Sequence, residues 1–291
     1  MIPKEVLQNI RRIQITTTRM VTDVFAGHYH SVFKGQGMEF EEVREYFPGD
    51  DIRSIDWNVT ARMGHPFIKK FMEERELTIM FLLDLSASSS FGTVNKLKSQ
   101  LAAELCSVLA MSAIKNNDKV GLIAFTDRIE KVVPPGKGLS HVLRIIREAL
   151  YFRPEGKGTD LPGALDYLRR TTRRSTITFV ISDFFANDFR RQLSVANKRH
   201  DIIAVSVTDP RETELPDVGI IQLQDAETGK EFFVDTSSAL VRNEYEERAA
   251  ALFAERKKLF QSINVDHLDI RTDIPYTREL FRFFRMRERR M

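Results

Sequence analysis

The chain has 291 residues but only one cysteine, Cys106, and one tryptophan, Trp57. A single cysteine excludes an internal disulfide, and its apolar helical surroundings make Cys106 a core residue. No apolar run reaches transmembrane length, and residues 1–5 do not lead into a signal-peptide core, so we expect a cytoplasmic protein without a transmembrane segment. The net charge of +3 arises from many residues of both signs and indicates no particular class of partner.

The sequence also lacks the motifs of common hydrolases and nucleotide-binding enzymes. Neither Gly35-x-Gly37 nor Gly136-x-Gly138 continues into a P-loop or a dinucleotide fingerprint, and Gly-x-Ser-x-Gly does not occur. The C-terminal stretch 281–290 mixes arginine with phenylalanine, which could bind nucleic acid, but a helix with buried phenylalanines and solvated arginines explains the pattern better. We therefore expect a non-enzymatic protein that does not bind nucleic acid.

Between residues 79 and 209, apolar strand-like runs alternate with amphipathic helical patterns. This alternation predicts an α/β fold with a doubly wound, mostly parallel sheet. Two alternating runs within 219–234 flank a turn sequence and predict a hairpin. A long charged helix at 237–263, a strand at 265–271 and a closing helix at 276–290 follow. We assign residues 77–291 to this α/β domain, with the hairpin and the last helix as a C-terminal extension.

The first 76 residues differ from the rest. Residues 5–19 have a helical pattern, whereas 42–46 and the stretch around 68–71 alternate like exposed strands. This N-terminal helix and β-rich elaboration is too short and too polar to form an independent core. We therefore expect residues 1–76 to pack on or beside the α/β domain.

Three loops carry oxygen-bearing side chains in a suggestive order. Asp84 ends an apolar strand and is followed by Ser86 and Ser88, Thr159 ends a glycine-rich loop, and Asp183 ends a second apolar strand. The carboxyl ends of parallel strands are where open α/β sheets bind ligands. Carboxylate and hydroxyl oxygens suit Mg²⁺, with Mn²⁺ or Ca²⁺ as alternatives. A simple helix N-cap after the strand would also favour aspartate and serine at these positions.

This pattern resembles the metal-ion-dependent adhesion site of von Willebrand factor A domains. The resemblance implies that Ser86, Ser88 and Thr159 approach the metal most directly. Asp84 and Asp183 would hold the metal at least partly through water. One coordination position would then stay open for an acidic side chain of a partner protein.

A longer signature in the front of the chain is similar to a bacterial family, the domain-of-unknown-function 58 family, whose core is von Willebrand factor A-like. The matching residues are Gly35-Gln36-Gly37-Met38-Glu39-Phe40, Arg44, Tyr46, Pro48-Gly49-Asp50-Asp51, Arg53, Ile55-Asp56-Trp57, Ala61-Arg62 and Glu74-Arg75. Their charged members could form an ion-paired network around a largely buried Trp57. That network would serve either as a scaffold for docking this segment or as a partner-binding surface.

The resemblance implies a protein-interaction module that works with a MoxR-type AAA+ ATPase, or with its client, in protein assembly or maturation. Two alternatives remain at this point: a metal-dependent phosphohydrolase that uses the same oxygens, and a metal-free structural scaffold.

Overall fold

A computed structural model describes residues 39–72, 76–94, 96–186 and 188–290 of the chain. The chain divides into two compact units, with the boundary between Leu77 and Thr78. The helix expected at 5–19 lies outside the described residues.

The small unit is built on a two-stranded antiparallel sheet. Strand β1 (Glu39–Glu45) pairs with β2 (Phe67–Met72), and the short helix α1 (Trp57–Met63) lies between them in sequence. Both strands expected from the alternating pattern are therefore confirmed.

Acidic side chains shape the turns of the small unit. Arg44 donates to both carboxylate oxygens of Asp50 at 2.9 and 2.8 Å, and the backbone N–H of Phe47 donates to the same group. Asp51 accepts the backbone N–H of Arg53 and so caps a short 3₁₀ turn. These contacts fix the reversal of the chain after β1, as the Pro-Gly-Asp-Asp sequence predicts.

Asp56 and Trp57 at the start of α1 behave differently from each other. Asp56 caps the helix and lies 3.2 Å from the Lys69 ammonium. Trp57 is 67 % exposed, so the expectation of a buried tryptophan at the centre of a charge network is wrong. The physical reason is that two strands and one short helix enclose little volume. Among the other signature residues, Tyr46 is half-buried, whereas the side chains of Arg53 and Arg62 are exposed.

The large unit contains a six-stranded central sheet. Its strands are β3 (Thr78–Asp84), β4 (Lys119–Phe125), β5 (Ile129–Gly136), β6 (Ile177–Ser182), β7 (Asp201–Thr208) and β10 (Asp266–Arg271). Their order across the sheet is β10-β7-β6-β3-β4-β5, and only the β4–β5 pair is antiparallel. A separate antiparallel hairpin joins β8 (Ile220–Gln224) to β9 (Glu231–Asp235).

Helices connect these strands. In chain order they are α2 (Lys98–Lys115), α3 (Leu139–Tyr151), α4 (Leu161–Thr171), α5 (Arg190–Asn197), α6 (Ala239–Ser262) and α7 (Tyr276–Glu288). The helical patterns expected between residues 79 and 209 are confirmed, and α6 and α7 differ by at most two residues at each end from the expected helices at 237–263 and 276–290. No helix in the described part of the chain is long and apolar enough to cross a membrane.

The four inner strands of the sheet, β7, β6, β3 and β4, are buried on both faces because they are almost continuously apolar. Met80 and Leu82 of β3 point into a cluster with residues of α4, α5 and α6. The alternate residues Ile79, Phe81 and Leu83 are fully buried as well, and Phe81 stacks on Phe179 at 5.8 Å between ring centroids.

The strand order identifies the fold. The chain first proceeds from β3 to β4 and β5 on one side, then returns to β6, β7 and β10 on the other side of β3. This doubly wound order, with one antiparallel edge strand, is von Willebrand factor A-like, as the sequence predicts. The reversal places a topological switch point between β3 and β6, where such sheets bind ligands.

Strand β5 forms one edge of the central sheet and carries Pro134 and Pro135 near its end. Proline has no backbone N–H and is tolerated in sheets mainly on edge strands. Its pairing with β4 is interrupted by register shifts, one of them between Val120 and Leu122.

Helix α6 is anchored to the core through Phe260. This side chain is fully buried, and its ring packs edge-on against Phe184 at 5.1 Å between centroids.

We predict that Phe260→Ala lowers the free energy of unfolding by about 3–5 kcal/mol, because the substitution leaves a cavity in the core. Leu252→Ala on the same helix should change it by less than about 0.5 kcal/mol, because Leu252 is 55 % exposed. Urea denaturation of both variants measures the difference, and similar losses for the two would contradict this anchoring role.

Candidate metal centre

Two carboxylates meet at the switch point of the central sheet. Asp84 is the last residue of β3, and Asp183 directly follows β6, the neighbouring parallel strand. Both side chains are buried, with residue exposures of 5 % and 7 %. The topology therefore places these two strand ends side by side.

Asp84 is held by hydrogen bonds from two serines. The backbone N–H of Ser86 donates to its Oδ1 at 2.9 Å, and the Ser182 hydroxyl donates to its Oδ2 at 2.6 Å. Ser182 Oγ in turn accepts the backbone N–H of Phe184. The Asp84 carboxylate therefore has a fixed orientation at the carboxyl end of β3.

Asp183 has a cationic partner that the sequence did not predict. Lys98, the first residue of α2, donates to Asp183 Oδ2 at 2.8 Å and to Glu212 Oε1 at 2.5 Å. The side chain of Lys98 is only 3 % exposed, and that of Asp183 only 5 %. A lysine at a helix start opposes the helix dipole, so the two carboxylates must outweigh that cost.

The surroundings shift the pKa values of Asp84 and Asp183 in opposite directions. Burial, followed by the charge of Asp183, raises the pKa of Asp84 to about 6, and the serine hydrogen bonds only partly oppose this. Burial alone would raise the pKa of Asp183 too. The charge of the Lys98 ammonium and hydrogen bonds from Lys98 and Ser88 outweigh this effect and lower the pKa of Asp183 overall. Asp183 is thus a stable anion, whereas the charge on Asp84 is electrostatically unfavourable.

Ser86 and Ser88 lie beside these carboxylates. Ser86 is fully buried, Ser88 is half-buried, and their hydroxyl oxygens are 3.0 Å apart. A cavity of about 20 Å³ is lined by Asp84, Ser88, Lys98 and Asp183, among others. This volume is sufficient for about one water-sized species.

A backbone hydrogen bond joins the loop that carries Thr159 to the loop that carries Ser86 and Ser88. The Thr159 hydroxyl, however, bonds to a residue outside these two loops. The backbone N–H of Ala87 donates to the carbonyl of Lys157 at 2.9 Å. Thr159 Oγ1 donates to Glu227 Oε1 at 2.9 Å, in the turn of the β8–β9 hairpin. Thr159 does not line the cavity described above.

The first residues of β5 and the turn before this strand fix the backbone of the Thr159 loop. Glu130 accepts the backbone N–H of Gly156 at 2.7 Å, and the backbone N–H of Asp160 donates to the carbonyl of Thr126 at 2.7 Å. A Cβ atom at Gly156 would lie 2.2 Å from Thr126 Oγ1, so only glycine allows this close approach.

The donor set fits a hard divalent cation. Its charged members are Asp84 and Asp183, and the hydroxyls of Ser86 and Ser88 supply neutral oxygens, a combination that suits Mg²⁺ or Mn²⁺. Among the described residues, no group of three or more His, Cys, Asp or Glu side chains forms a candidate ligand set. The unfavourable charge of Asp84 is the feature that a bound cation would relieve.

Several residues that shape the candidate metal centre were not identified from the sequence. Ser182 orients Asp84, Glu212 shares Lys98, and the Arg256 guanidinium donates to the carbonyl oxygen of Asp183. A lysine in the first turn of α2, where acids are normally favoured, was the one available signal for Lys98. Glu212 and Arg256 lie far along the chain and carry no local signal.

The sequence comparisons identify the family. The model of the family described as "Protein of unknown function DUF58" matches residues 42–255. The chain belongs to this family. A DUF58 relative from Mycobacterium tuberculosis (strain ATCC 25618 / H37Rv), the uncharacterized protein Rv1480, is 33 % identical over 285 residues, which cover 96 % of this chain and 89 % of that protein. The uncharacterized protein YeaD of Bacillus subtilis (strain 168) is 24 % identical over 178 residues, 61 % of this chain and 42 % of that protein.

Two solved structures show similarity to this DUF58 chain. BatB from Bacteroides thetaiotaomicron, a conserved hypothetical protein, has a TM-score of 0.44 and 15 % identity over 73 % of this chain and 99 % of its own. Proximal thread matrix protein 1 from the mussel byssus, with a zinc-occupied MIDAS motif, has a TM-score of 0.37 and 16 % identity over 46 % of this chain and 38 % of its own.

The raised pKa of Asp84 predicts an unusual dependence of stability on pH. Between the ordinary value near 3.8 and about 6, the folded protein retains a proton that the unfolded chain releases. Stability of the metal-free protein therefore falls as the pH rises through this window. Asp84→Asn, which resembles the protonated form, should raise the free energy of unfolding in EDTA at pH 7.5 by roughly 1–3 kcal/mol.

The same gain should shrink to roughly half at pH 5, in the middle of this window, and should vanish only below the ordinary value of 3.8, where Asp84 is protonated in the unfolded chain as well. Asp166→Asn is the control, because Asp166 is half-exposed and its pairing with Arg169 on the surface contributes little. Denaturation curves at both pH values give the comparison. A loss of stability in Asp84→Asn at both pH values would show that the charge of Asp84 supports the fold.

Proposed function

We propose that this chain is a non-enzymatic protein-interaction module whose site holds a divalent metal ion, Mg²⁺ in the first instance. Asp84, Ser86, Ser88 and Asp183 would hold the ion, with Thr159 approaching from the neighbouring loop. When bound, the ion would supply a Lewis-acidic position for an acidic side chain of a partner protein. The partner implied by the family resemblance is a MoxR-type AAA+ ATPase or its client.

One observation carries this proposal. Two buried carboxylates meet at the switch point of the sheet, together with two serine hydroxyls, and among the described residues only Asp183 of these two has a cationic partner. Buried charges are costly unless they are paired or coordinate a metal. The burial and raised pKa of Asp84 support a functional role for this group.

The chain's own residues would prepare the site. Ser182 and the Ser86 backbone orient Asp84 before any ligand arrives. Lys98 balances Asp183 and must move or share that carboxylate when a cation enters. Preorganised oxygens reduce the entropic cost of binding, whereas the resident ammonium weakens it.

A metal-free scaffold is the second candidate, and Lys98 is the observation that favours it. A buried lysine between Asp183 and Glu212 already neutralises part of the negative charge. In that case the ion pair would be purely structural, and chelators would have no effect on partner binding.

The phosphohydrolase alternative receives less support. Asp84 would be its nucleophile, but both carboxylate oxygens of Asp84 accept hydrogen bonds and the residue is 5 % exposed. The adjoining cavity of about 20 Å³ is far smaller than typical small-molecule pockets of ~300 Å³ or more.

Removal of the lysine charge tests whether Lys98 competes with the cation. We predict that Lys98→Met tightens Mg²⁺ binding roughly tenfold, because a positive charge beside a metal ligand is lost while the aliphatic volume is kept. Lys96→Met is the control, since Lys96 pairs with Glu104 and is 40 % exposed at its side chain. Its affinity should change by less than about twofold. Titration calorimetry compares the variants, and equal affinities would show that Lys98 does not compete.

Partner capture tests the proposal directly. Immobilised protein should retain the MoxR-type ATPase of the same organism in Mg²⁺ and release it in EDTA. Asp84→Ala should abolish capture, because one of the two charged ligands is lost, and Asp166→Ala should capture normally. Circular dichroism checks that both variants are folded. Capture that persists in EDTA would favour the scaffold over the metal-dependent module.

A further inference from the structure

The tip of the β8–β9 hairpin brings an acidic side chain to the loop that carries Thr159. Glu227 lies in the turn between the two strands, and its Oε1 accepts a hydrogen bond from Thr159 Oγ1 at 2.9 Å. A Cβ atom built on Gly158 would lie 4.0 Å from the other oxygen, Oε2. The Glu227 carboxylate therefore lies along the loop that carries the third hydroxyl of the site.

The turn holds Glu227 in a defined position. Asp225 Oδ1 accepts both the backbone N–H of Thr228 at 2.6 Å and its hydroxyl at 2.7 Å. The backbone N–H of Gly229 donates to the carbonyl of Asp225 at 2.8 Å. These bonds are internal to the hairpin, so the orientation of Glu227 would persist if the hairpin moved as a body.

The free-energy cost of displacing the hairpin from the rest of the large unit should be small. Among the strands that the structure describes, β8 and β9 pair only with each other and form no part of the central sheet. Ile220 and Phe233 are 73 % and 75 % exposed, so little apolar surface would be lost from the interior on displacement. Segments that bury few apolar side chains open at low free-energy cost.

We propose that Glu227 is an internal acidic ligand of the site, and that the β8–β9 hairpin is its displaceable cover. This inference rests on the proposed function, in which a partner's carboxylate binds at the same place. Glu227 carries the charge and the oxygen atoms that such a partner would bring. A partner's carboxylate must therefore compete with Glu227, and the partner is an acidic segment that binds only after the hairpin has turned away.

Hydrogen exchange in EDTA tests the contact without any metal. In Glu227→Ala, amides of residues 220–235 and 156–160 should exchange about threefold to tenfold faster, because a hydrogen bond to a charged group is lost. Glu231→Ala is the matched control, since Glu231 is an exposed acid of the same hairpin. Thr159→Val should reproduce the effect of Glu227→Ala, and the double variant should add nothing further.

Calorimetric titration with Mg²⁺ alone then tests the role of Glu227 as a ligand. Glu227→Ala should weaken Mg²⁺ binding about threefold to tenfold relative to Glu231→Ala, because one nearby negative charge is removed. Equal Mg²⁺ affinities, or equal exchange rates, in the two variants would overturn the internal-ligand proposal and leave the proposed function standing. Failure of the unmodified protein to bind Mg²⁺ would overturn both, whatever the exchange rates.

Discussion

The ion pair between Lys98 and Asp183 is the contact on which the geometry of the candidate metal centre depends. It joins the first residue of α2 to the end of β6, and through Glu212 it reaches the 3₁₀ turn after β7. Removing one partner of a buried pair typically costs about 3–5 kcal/mol, because the other charge remains buried. The arrangement of these three segments is therefore fixed by electrostatics before any external ligand is present.

That ion pair also determines what an external ligand has to displace. Lys98 supplies a positive charge at Asp183, and Glu227 supplies a carboxylate at Thr159. The chain thus contains, in its own side chains, both of the charges that a metal ion and an acidic partner would contribute. Selectivity would then arise from competition. A metal ion and partner would bind only if their contacts are more favourable than the contacts of Lys98 with Asp183 and of Glu227 with Thr159.

The sequence predicted the large unit well because its signals are local. Apolar runs such as Ile79–Leu83 alternate with helical patterns, and the strand ends place Asp84 and Asp183 at one edge of the sheet. The parallel order then follows from the helical crossovers between strands, whereas the short connection from β4 to β5 gives the antiparallel pair. The same reasoning brought Ser86 and Ser88 to this edge, because they directly follow the strand.

What the sequence did not show depends on contacts between distant residues. Lys98 and Asp183 are 85 residues apart, and Thr159 and Glu227 are 68 apart. No periodicity encodes such pairs, since a surface lysine and a buried one look alike in a pattern. Trp57 illustrates the opposite error, because a large apolar residue suggests burial even where the surrounding unit has little interior.

The edge strand β5 limits how this protein can associate with other chains. An exposed sheet edge invites another strand to add to it, and two consecutive prolines, Pro134 and Pro135, remove the backbone donors that such pairing would need. Along this stretch, sheet extension and strand exchange are therefore blocked by covalent structure and not merely by charge. Gly136, next to these prolines, pairs with Val120 at the start of β4, so the protected stretch lies at the end of the sheet opposite the carboxyl ends of β3 and β6.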